Sequence, residues 1–236
     1  MSDAKEPKIL LWDLETGGVN ALKSNLGFVL CFGWKWFKEK QTYCYTLEEY
    51  DGFKKGSFDD SKLLKAAIKV METADILVAH YGDKFDRRFF QGRCAINHIQ
   101  PPPPTKQRDT CLIARRAFNF SSNRLGALAK TLGCKERKQL HDGWPDWWLR
   151  VLAGDKLALE LMAEYCKQDV RTLESVYEKI RCYDHFHPRL FVDRDSCGVC
   201  NGRIQYRGSV PIGQYKYRRW QCTRCGKWGR ETKRVV

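Results

Sequence analysis

Residues 9–16 have the sequence ILLWDLET, an apolar run that ends in two carboxylates, Asp13 and Glu15. A near-continuous apolar stretch is typical of a buried β-strand, and polar residues at its end lie at the margin of the sheet. Residues two apart on a strand project from the same side, so we expect both carboxylates on one face. Taken alone, such a pair is equally well explained as strand-end solubilising acids.

Two later segments carry acidic residues of the same kind. Asp86 lies in LVAHYGDKFD, and Asp169 lies in EYCKQDVRTL, four residues after Tyr165. On a helix, residues four apart share one face, where a phenol can orient a water while the carboxylate holds an ion. Mg²⁺ takes oxygen ligands, and one or two carboxylates serve each ion. Four convergent carboxylates therefore predict a site for two divalent cations, the arrangement that cleaves phosphodiesters.

Each of these later segments also has a plain structural explanation. Asp86 fits a helix cap, and Asp83 in the same loop competes with it as a ligand. Tyr165 and Asp169 fit an ordinary half-buried helix face. The order of the three acidic segments within a pattern of strands and helices favours the metal-binding site.

That pattern predicts an α/β fold with a mixed sheet flanked by helices. Further strands are expected at residues 27–37, 41–47 and 75–81, and helices at 61–74, 108–118, 123–133 and about 154–181. Asp60 or Ser61 is the predicted N-cap of the first helix, and Gly133 the C-cap of the third. The run Pro101 to Pro104 predicts an extended surface connection.

The net charge of +14 indicates a polyanionic partner. Residues 197–236 contain ten Lys or Arg and one acidic residue, Glu231, so this tail alone carries +9. Such concentration is typical of a nucleic-acid footprint. No stretch approaches the roughly 18 apolar residues of a membrane span, and MSDAKEPK lacks the apolar core of a signal peptide. We therefore expect an intracellular protein with no membrane partner.

The three acidic segments resemble the motifs of the DEDD superfamily of 3′–5′ exonucleases, in the DEDDy subgroup whose third motif is Tyr-x-x-x-Asp. LWDLET, AHYGDKFD and YCKQD are similar to its first, second and third motifs, and the resemblance covers roughly residues 8–182. It extends to proofreading domains of family-B DNA polymerases, where Asn often stands in place of Tyr81. Tyr81 is our candidate nucleotide contact, and Asp109 is interpreted as a helix cap first and a functional residue second.

The resemblance implies a ribonuclease H-like fold and two catalytic Mg²⁺ or Mn²⁺ ions. Asp13 would bridge both ions, while Glu15 and Asp169 would hold the ion nearer the attacking water. Asp86 would support the other ion, and Tyr165 would position the nucleophile. The implied reaction releases nucleoside monophosphates from the 3′ end of DNA, with single strands favoured.

Four of the eleven cysteines form two C-x-x-C pairs, CGVC and CTRC: Cys197, Cys200, Cys222 and Cys225. Their spacing predicts one structural Zn²⁺ held by four thiolates in a zinc ribbon, and Gly198 and Gly226 would permit the tight turns. A redox role is the alternative. The other seven cysteines are predicted to be small buried hydrophobes.

Aromatic residues alternate with Lys and Arg in this cysteine-paired module, which is typical of surfaces that hold single-stranded nucleic acid. One or two of the aromatics are expected in the ribbon core instead. A protein partner from replication or repair is the alternative for this surface. The predicted nucleic-acid contacts are Arg218, Arg219, Trp220, Lys227 and Trp228.

We therefore predict two domains in a monomer. Residues 1–188 would form the DEDDy-type 3′–5′ exonuclease, and residues 189–236 the zinc-ribbon nucleic-acid-binding module. Trp144, Trp147 and Trp148 would either pack an insertion onto the first domain or line the substrate path. Two alternatives stay open: RNA as the substrate, and a non-catalytic nucleic-acid-binding protein on the same scaffold.

Overall fold

The computed structural model describes residues 6–54, 57–136, 149–191, 193 and 195–235. The chain divides into two compact units, Met1–Glu178 and Lys179–Val236. The three tryptophans at positions 144, 147 and 148 lie outside the described residues. Within the described part, no helix combines the length and apolarity that crossing a bilayer requires.

In chain order the strands of the first unit are β1 (Ile9–Gly18), β2 (Gly27–Trp36), β3 (Tyr43–Thr46), the hairpin β4 (Phe53–Lys54) and β5 (Ser57–Phe58), β6 (Ile76–Ala79) and β7 (Lys106–Asp109). Five of them form a mixed sheet in the order β3-β2-β1-β6-β7. β1 pairs antiparallel with β2 and parallel with β6, which confirms the predicted mixed sheet.

The helices that lie entirely within the described residues are α1 (Ser61–Met71), α2 (Asp86–Ile96), α3 (Thr110–Ala117), α4 (Leu125–Thr131) and α5 (Lys156–Ile180), which runs into a 3₁₀ turn at Arg181–Tyr183. They follow the expected order, with α2 as an addition. The C-cap is confirmed, because Gly133 has a φ of 62° and follows the last turn of α4.

The central strand β1 is covered on both faces. On one face Trp12 meets Phe90 of α2 edge-on, with ring centroids 6.2 Å apart. On the other face Gly33 of β2 lies opposite Asp13. A Cβ at Gly33 would come within 2.6 Å of the Cys166 sulfur on α5. The missing side chain therefore lets α5 approach the sheet at the level of Asp13.

Asp60 lies at the N-cap position of α1, as predicted, but its side chain does not cap the helix. Within the part of the chain that the structure describes, Asp60 makes no capping hydrogen bond to α1. Its fully buried carboxylate instead accepts from the Arg93 guanidinium at 2.9 Å and from the Val29 N–H at 2.9 Å. Asp59 accepts from the N–H of Ser61. Asp60 is thus a buried ion-pair partner that joins α1 to α2 and β2.

Strand β7 is absent from the sequence prediction because KQRD shows no apolar alternation. Three of its four residues are nevertheless buried, and the strand pairs parallel with β6. Side-chain hydrogen bonds satisfy Gln107, which accepts from the indole of Trp12 at 3.2 Å and donates to Asp83 at 2.9 Å. Polar burial of this kind leaves no hydrophobic signature.

The strands of the second unit are β8 (Ile204–Ile212), β9 (Tyr215–Cys222) and β10 (Trp228–Arg234). They form a three-stranded antiparallel sheet in the order β10-β9-β8. β10 follows the last cysteine of the two C-x-x-C pairs.

Candidate active site and zinc site

A cleft of about 1230 Å³ lies beside β1 in the first unit. The five side chains predicted to be catalytic all line it, although they come from one strand and two helices. They are Asp13 and Glu15 of β1, Asp86 of α2, and Tyr165 and Asp169 of α5.

The two carboxylates of β1 leave the sheet on the face covered by α5. Asp13 is in register with Gly33 and Glu15 with Cys31, so the two acids share a side of the strand. One carboxylate oxygen from each and the sulfur of Cys166 lie within 4.8 Å of one another. Two carboxylates this close repel unless a cation neutralises them. Their donor atoms fit Mg²⁺ or Mn²⁺.

Cys166 is a neighbour of this site and not a suitable ligand for it. Its sulfur lies 3.8 Å from Oδ2 of Asp13. A hydrogen bond with Cys44, together with burial, raises the pKa of Cys166 well above its usual value. A protonated thiol is a poor donor to a hard cation, so the oxygens remain the candidate ligands.

The prediction that the seven unpaired cysteines are buried holds for five of them. Cys44 lies on the edge strand β3 and Cys182 in the 3₁₀ turn, and both are only half-buried. Cys166 is buried as predicted, but its contact with Asp13 gives it a place beside the candidate active site that composition did not indicate.

Asp86 is joined to β1 by a direct hydrogen bond. Its Oδ1 accepts from the N–H of Leu14 at 3.3 Å, and Leu14 lies between Asp13 and Glu15. Burial raises the pKa of Asp86 to about 7, although its own N–H and that of Leu14 act in the opposite direction. A buried carboxylate in a cleft with other acids is stabilised in its charged form by a bound cation, which supports a metal-binding role.

The competing candidate, Asp83, is engaged elsewhere. Its Oδ1 accepts from the side-chain amide of Gln107 at 2.9 Å and lies 3.8 Å from a guanidinium nitrogen of Arg87. The geometry therefore supports Asp86 over Asp83 as the acid that faces the cleft.

Tyr165 and Asp169 lie one turn apart on α5, and both side chains are buried against the cleft. Cys166 and Val170, the residues that follow them, pack on the sheet at Gly33. The same packing that seats α5 on the sheet therefore places its tyrosine and aspartate in the cleft that Asp13 and Glu15 line.

Asp109 caps α3, as the sequence suggested, and also binds the loop before α2. As the N-cap of α3 it accepts from the N–H groups of Cys111 and Leu112, at 2.9 and 3.2 Å. It also accepts from the N–H groups of Tyr81 and Asp83, at 3.0 and 3.1 Å. Burial raises its pKa, and the backbone donors oppose that rise. One carboxylate thus fixes α3 and the loop that leads to Asp86.

Tyr81 lines the cleft, as a nucleotide contact would. It has a φ of 63°, which is unusual for a residue with a side chain, and its ring is 42% exposed. The guanidinium of Arg115 lies 5.6 Å from the ring centroid. The hydrogen bond to Asp109 holds this backbone conformation in place.

Three basic residues on the cleft wall were missed from the sequence: Arg115, Arg124 and Lys130. They belong to α3, the connection before α4, and α4 itself. The sequence predicted the two helical segments that carry these residues but assigned the basic side chains no role. A signal was present, because residues 115–130 contain four Lys or Arg and no acidic residue. Cations opposite the carboxylates can hold the phosphates of a strand.

The four paired cysteines of the second unit converge, with all their sulfurs within 4.8 Å of one another. Cys197 and Cys225 are 3.8 Å apart and Cys200 and Cys222 3.5 Å apart, measured between sulfurs. Tetrahedral Zn–S bonds of about 2.3 Å place sulfurs about 3.8 Å apart, so the donor set fits Zn²⁺. A hydrogen bond from Cys225 lowers the pKa of Cys197 to about 5.

One glycine near the thiols permits a tight turn, and two others avoid a steric clash. Gly226 has a φ of 76°, as a tight turn requires. Gly198 does not have a positive φ, and a Cβ there would meet the Arg189 side chain at 2.5 Å. Gly202, which was not predicted, is needed because a Cβ there would lie 2.8 Å from the Cys222 sulfur.

Two of the five predicted ribbon contacts are engaged in contacts within the second unit. Trp220 is half-buried against the cysteine cluster, and a Cβ at Gly229 would meet its ring at 2.2 Å. The expectation that one or two aromatics belong to the ribbon core is met by this residue. The ammonium of Lys227 donates to the carbonyl oxygen of Asp184 at 2.8 Å.

The other three predicted contacts are exposed and belong to cation–aromatic pairs. The guanidinium of Arg218 lies 3.7 Å from the ring centroid of Tyr206, and that of Arg219 lies 5.3 Å from Trp228. Two further pairs on the same sheet are Arg230 with Tyr217 and Arg234 with Tyr215.

Comparison with known proteins agrees with this architecture. The fold of the chain is similar to that of the family B DNA polymerase from the hyperthermophilic archaeon Pyrobaculum calidifontis, with a TM-score of 0.56 at 14% sequence identity. The similarity covers 75% of this chain and 25% of the polymerase chain, so the chain spans about a quarter of that protein. No curated protein matches the chain significantly.

A family model described as the RNase_H superfamily matches residues 10–181. That range takes in the mixed sheet from Leu10 onward, the helices α1 to α5 and every side chain of the cleft. Since the match spans well over half of the sequence, the chain belongs to the RNase_H superfamily.

Proposed function

We propose that the protein is a metal-dependent 3′–5′ exonuclease that removes nucleoside monophosphates from the 3′ end of single-stranded DNA. The observation that carries the proposal is the convergence of four carboxylates and one tyrosine on a single cleft, from three separated segments. Membership of the RNase_H superfamily supports a nuclease. The direction of attack and the substrate are our inference from the motifs.

The carboxylates have distinct positions in this proposal. Two Mg²⁺ or Mn²⁺ ions would supply the positive charge that stabilises the attacking and leaving oxygens of the phosphodiester. Asp13 would serve both ions, with Glu15 and Asp169 on one side and Asp86 on the other. The hydrogen bond from Leu14 keeps Asp86 turned toward β1.

Tyr165 would orient the attacking water through its phenol. The side chain is only 8% exposed, so it is held by packing rather than free to rotate into solvent. A positioned hydroxyl that aligns the nucleophile lowers the entropic cost of reaching the transition state. Removing the hydroxyl while keeping the ring tests this role without opening a cavity.

The basic wall of the cleft would hold the strand behind its 3′ end. Arg115, Arg124 and Lys130 can contact phosphates, and the exposed ring of Tyr81 offers a face to a base. These contacts are sequence-independent, as a trimming enzyme requires. The same set would also accept RNA, so the test includes it.

The C-terminal module, residues 189–236 in our proposed division, would hold one structural Zn²⁺ and grip nucleic acid. Arg218, Arg219 and Trp228 provide exposed cationic and aromatic groups for this purpose. The excess of positive charge favours nucleic acid over a replication or repair protein as the partner of this surface.

The experiment is a side-by-side digestion of single-stranded DNA, duplex DNA and RNA with Mg²⁺. We expect single-stranded DNA to be shortened fastest and the Asp13→Ala/Glu15→Ala variant to be inactive. Glu72→Ala/Glu160→Ala removes two exposed carboxylates away from the cleft and should keep full activity. Faster digestion of RNA would reassign the substrate. Binding without any Mg²⁺-dependent shortening would identify a non-catalytic nucleic-acid-binding protein.

A further inference from the structure

A second groove, of about 680 Å³, lies in the first unit between α1 and the strands β2 and β3. It is on the opposite face of the sheet from the cleft. Gly33 faces α5 along with the catalytic carboxylates, and Trp34, the next residue, projects from the other face into this groove. The groove is therefore separate from the proposed active site.

One wall of the groove is a row of lysines on α1. Lys62, Lys65 and Lys69 are three and four residues apart, so they share one helix face over about 10 Å. Lys8 lies on the other wall, with its ammonium 5.2 Å from the ring centroid of Trp36. Lys62 also pairs with the exposed carboxylate of Asp51 at 3.0 Å.

The charged residues that line the groove are all positive. Among the described residues that line the groove there are four lysines and no acidic residue. The sequence of α1, SKLLKAAIKVM, contains three lysines and no Asp or Glu. A helix face that serves only solubility usually carries both signs, which pair at spacings of three or four.

The floor of the groove is aromatic. Trp34 and Trp36 meet edge-on with ring centroids 6.0 Å apart, and Tyr45 and Tyr50 meet at 5.6 Å. Trp34 is buried, whereas Trp36, Tyr45 and Tyr50 are half-buried and present part of their rings to the groove. Because these rings pack on one another and on the core, a ligand would find them already ordered.

We propose that this groove binds a single strand of nucleic acid, with bases against the aromatic floor and phosphates along the lysines of α1. Stacking on aromatic rings next to a basic track is how proteins hold single strands without reading their sequence. An acidic peptide would satisfy the lysines but has no flat rings to match the floor. The proposal does not depend on catalysis in the cleft, because binding needs no cleavage.

The test uses the full chain and a fluorescein-labelled oligodeoxythymidylate of about 20 nucleotides. Binding is measured by anisotropy without added Mg²⁺ and without a chelator, over a range of salt concentrations. We expect Lys65→Glu/Lys69→Glu to bind at least about tenfold more weakly and to lower the salt slope by about 1.4, which corresponds to two phosphate contacts. Lys40→Glu/Lys106→Glu has the same charge change at exposed positions outside the groove and the cleft and should change affinity much less.

A second measurement locates the strand. An oligonucleotide with 4-thiothymidine should form photo-crosslinks to Trp36, Tyr45 or Tyr50, and Lys65→Glu/Lys69→Glu should suppress them. Equal affinity and salt slope for the two charge-reversal variants would overturn the proposal. So would a poly-glutamate peptide that displaces the strand as well as an unlabelled oligonucleotide of equal charge does.

Discussion

The backbone N–H of Leu14 donates a 3.3 Å hydrogen bond to Oδ1 of Asp86. This bond ties the first acidic segment of the chain to the second, and the carboxylates of Asp13, Glu15 and Asp86 line the same cleft. Asp83, three residues earlier, is bound to Gln107 instead. The two aspartates of one loop should therefore differ sharply in what their removal does.

Asp86→Ala should lower kcat at least about 100-fold, because a carboxylate that binds a catalytic metal contributes several kcal/mol to stabilisation of the transition state. Asp83→Ala should keep activity within about tenfold, since that side chain holds Gln107 and acts only through the loop. Single-turnover digestion of a labelled oligonucleotide compares the two. If both variants lose activity equally, the assignment of Asp86 is wrong.

The stability of the metal-free protein should fall as the pH rises toward neutrality. The pKa of Asp86 is about 7 in the folded chain, above its ordinary value of 3.8. The folded state therefore binds more protons than the unfolded state between these values, and that contribution to stability is lost as the pH rises through about 7. Each unit of difference corresponds to about 1.4 kcal/mol.

Thermal unfolding without added Mg²⁺, from about pH 5 to about pH 8, measures this dependence. Asp86→Asn should flatten it, because the amide does not titrate. Added Mg²⁺ should raise Tm more at the higher pH, where it does not compete with a proton. A wild-type profile identical to that of Asp86→Asn would show that another group is responsible.

Gly33→Ala should lower both stability and activity. The new Cβ would lie 2.6 Å from the Cys166 sulfur and 3.2 Å from Val170, so α5 has to move away from the sheet. Overpacking costs about 1–3 kcal/mol, and a displacement of about 1 Å in catalytic groups can cost about 100-fold in rate.

Cys166→Ala in the same chain removes the closest contact and should restore part of both losses, a coupling that a double-mutant cycle detects. Gly33→Ala/Cys94→Ala is the matched control, because Cys94 is a buried thiol on α2. Equal restoration by the two cysteine changes would mean that the packing of α5 at Gly33 does not position the site.

Native mass spectrometry should find one Zn²⁺ per chain. Cys197→Ser/Cys225→Ser should abolish it, and the ribbon should lose its structure, since a module of this size depends on its metal to fold. The steep salt dependence of DNA binding should weaken at the same time. Cys94→Ser/Cys182→Ser keeps the four paired thiols and should retain zinc. Full zinc content in the first variant would contradict the assignment.

The sheet and the cleft were largely predictable because their signals are strong and local. ILLWDLET combines an apolar run with two acids, and Tyr165 lies one turn before Asp169 on a long amphipathic helix. Each C-x-x-C pair likewise indicates a metal site from four consecutive residues. Such patterns can be recognised in the sequence because each depends on residues close to one another along the chain.

The features that were missed depend on contacts between distant residues. Asp60 was expected to cap its own helix, but Arg93 and Val29 compete for the same oxygens. Strand β7 is buried through Gln107 rather than through apolar side chains. The basic wall of the cleft and the lysine groove become visible only when helices and strands are brought together.

The most direct test of the central proposal is the direction of digestion. A 5′-labelled single-stranded DNA incubated with Mg²⁺ should shorten stepwise, while the same strand labelled at its 3′ end should release a labelled mononucleotide in the first step. Tyr165→Phe should slow both reactions, and phosphorothioate linkages at the 3′ end should stop them. Release of a mononucleotide from the 5′ label in the first step, or internal cuts in a strand blocked at its 3′ end, would contradict a 3′–5′ exonuclease.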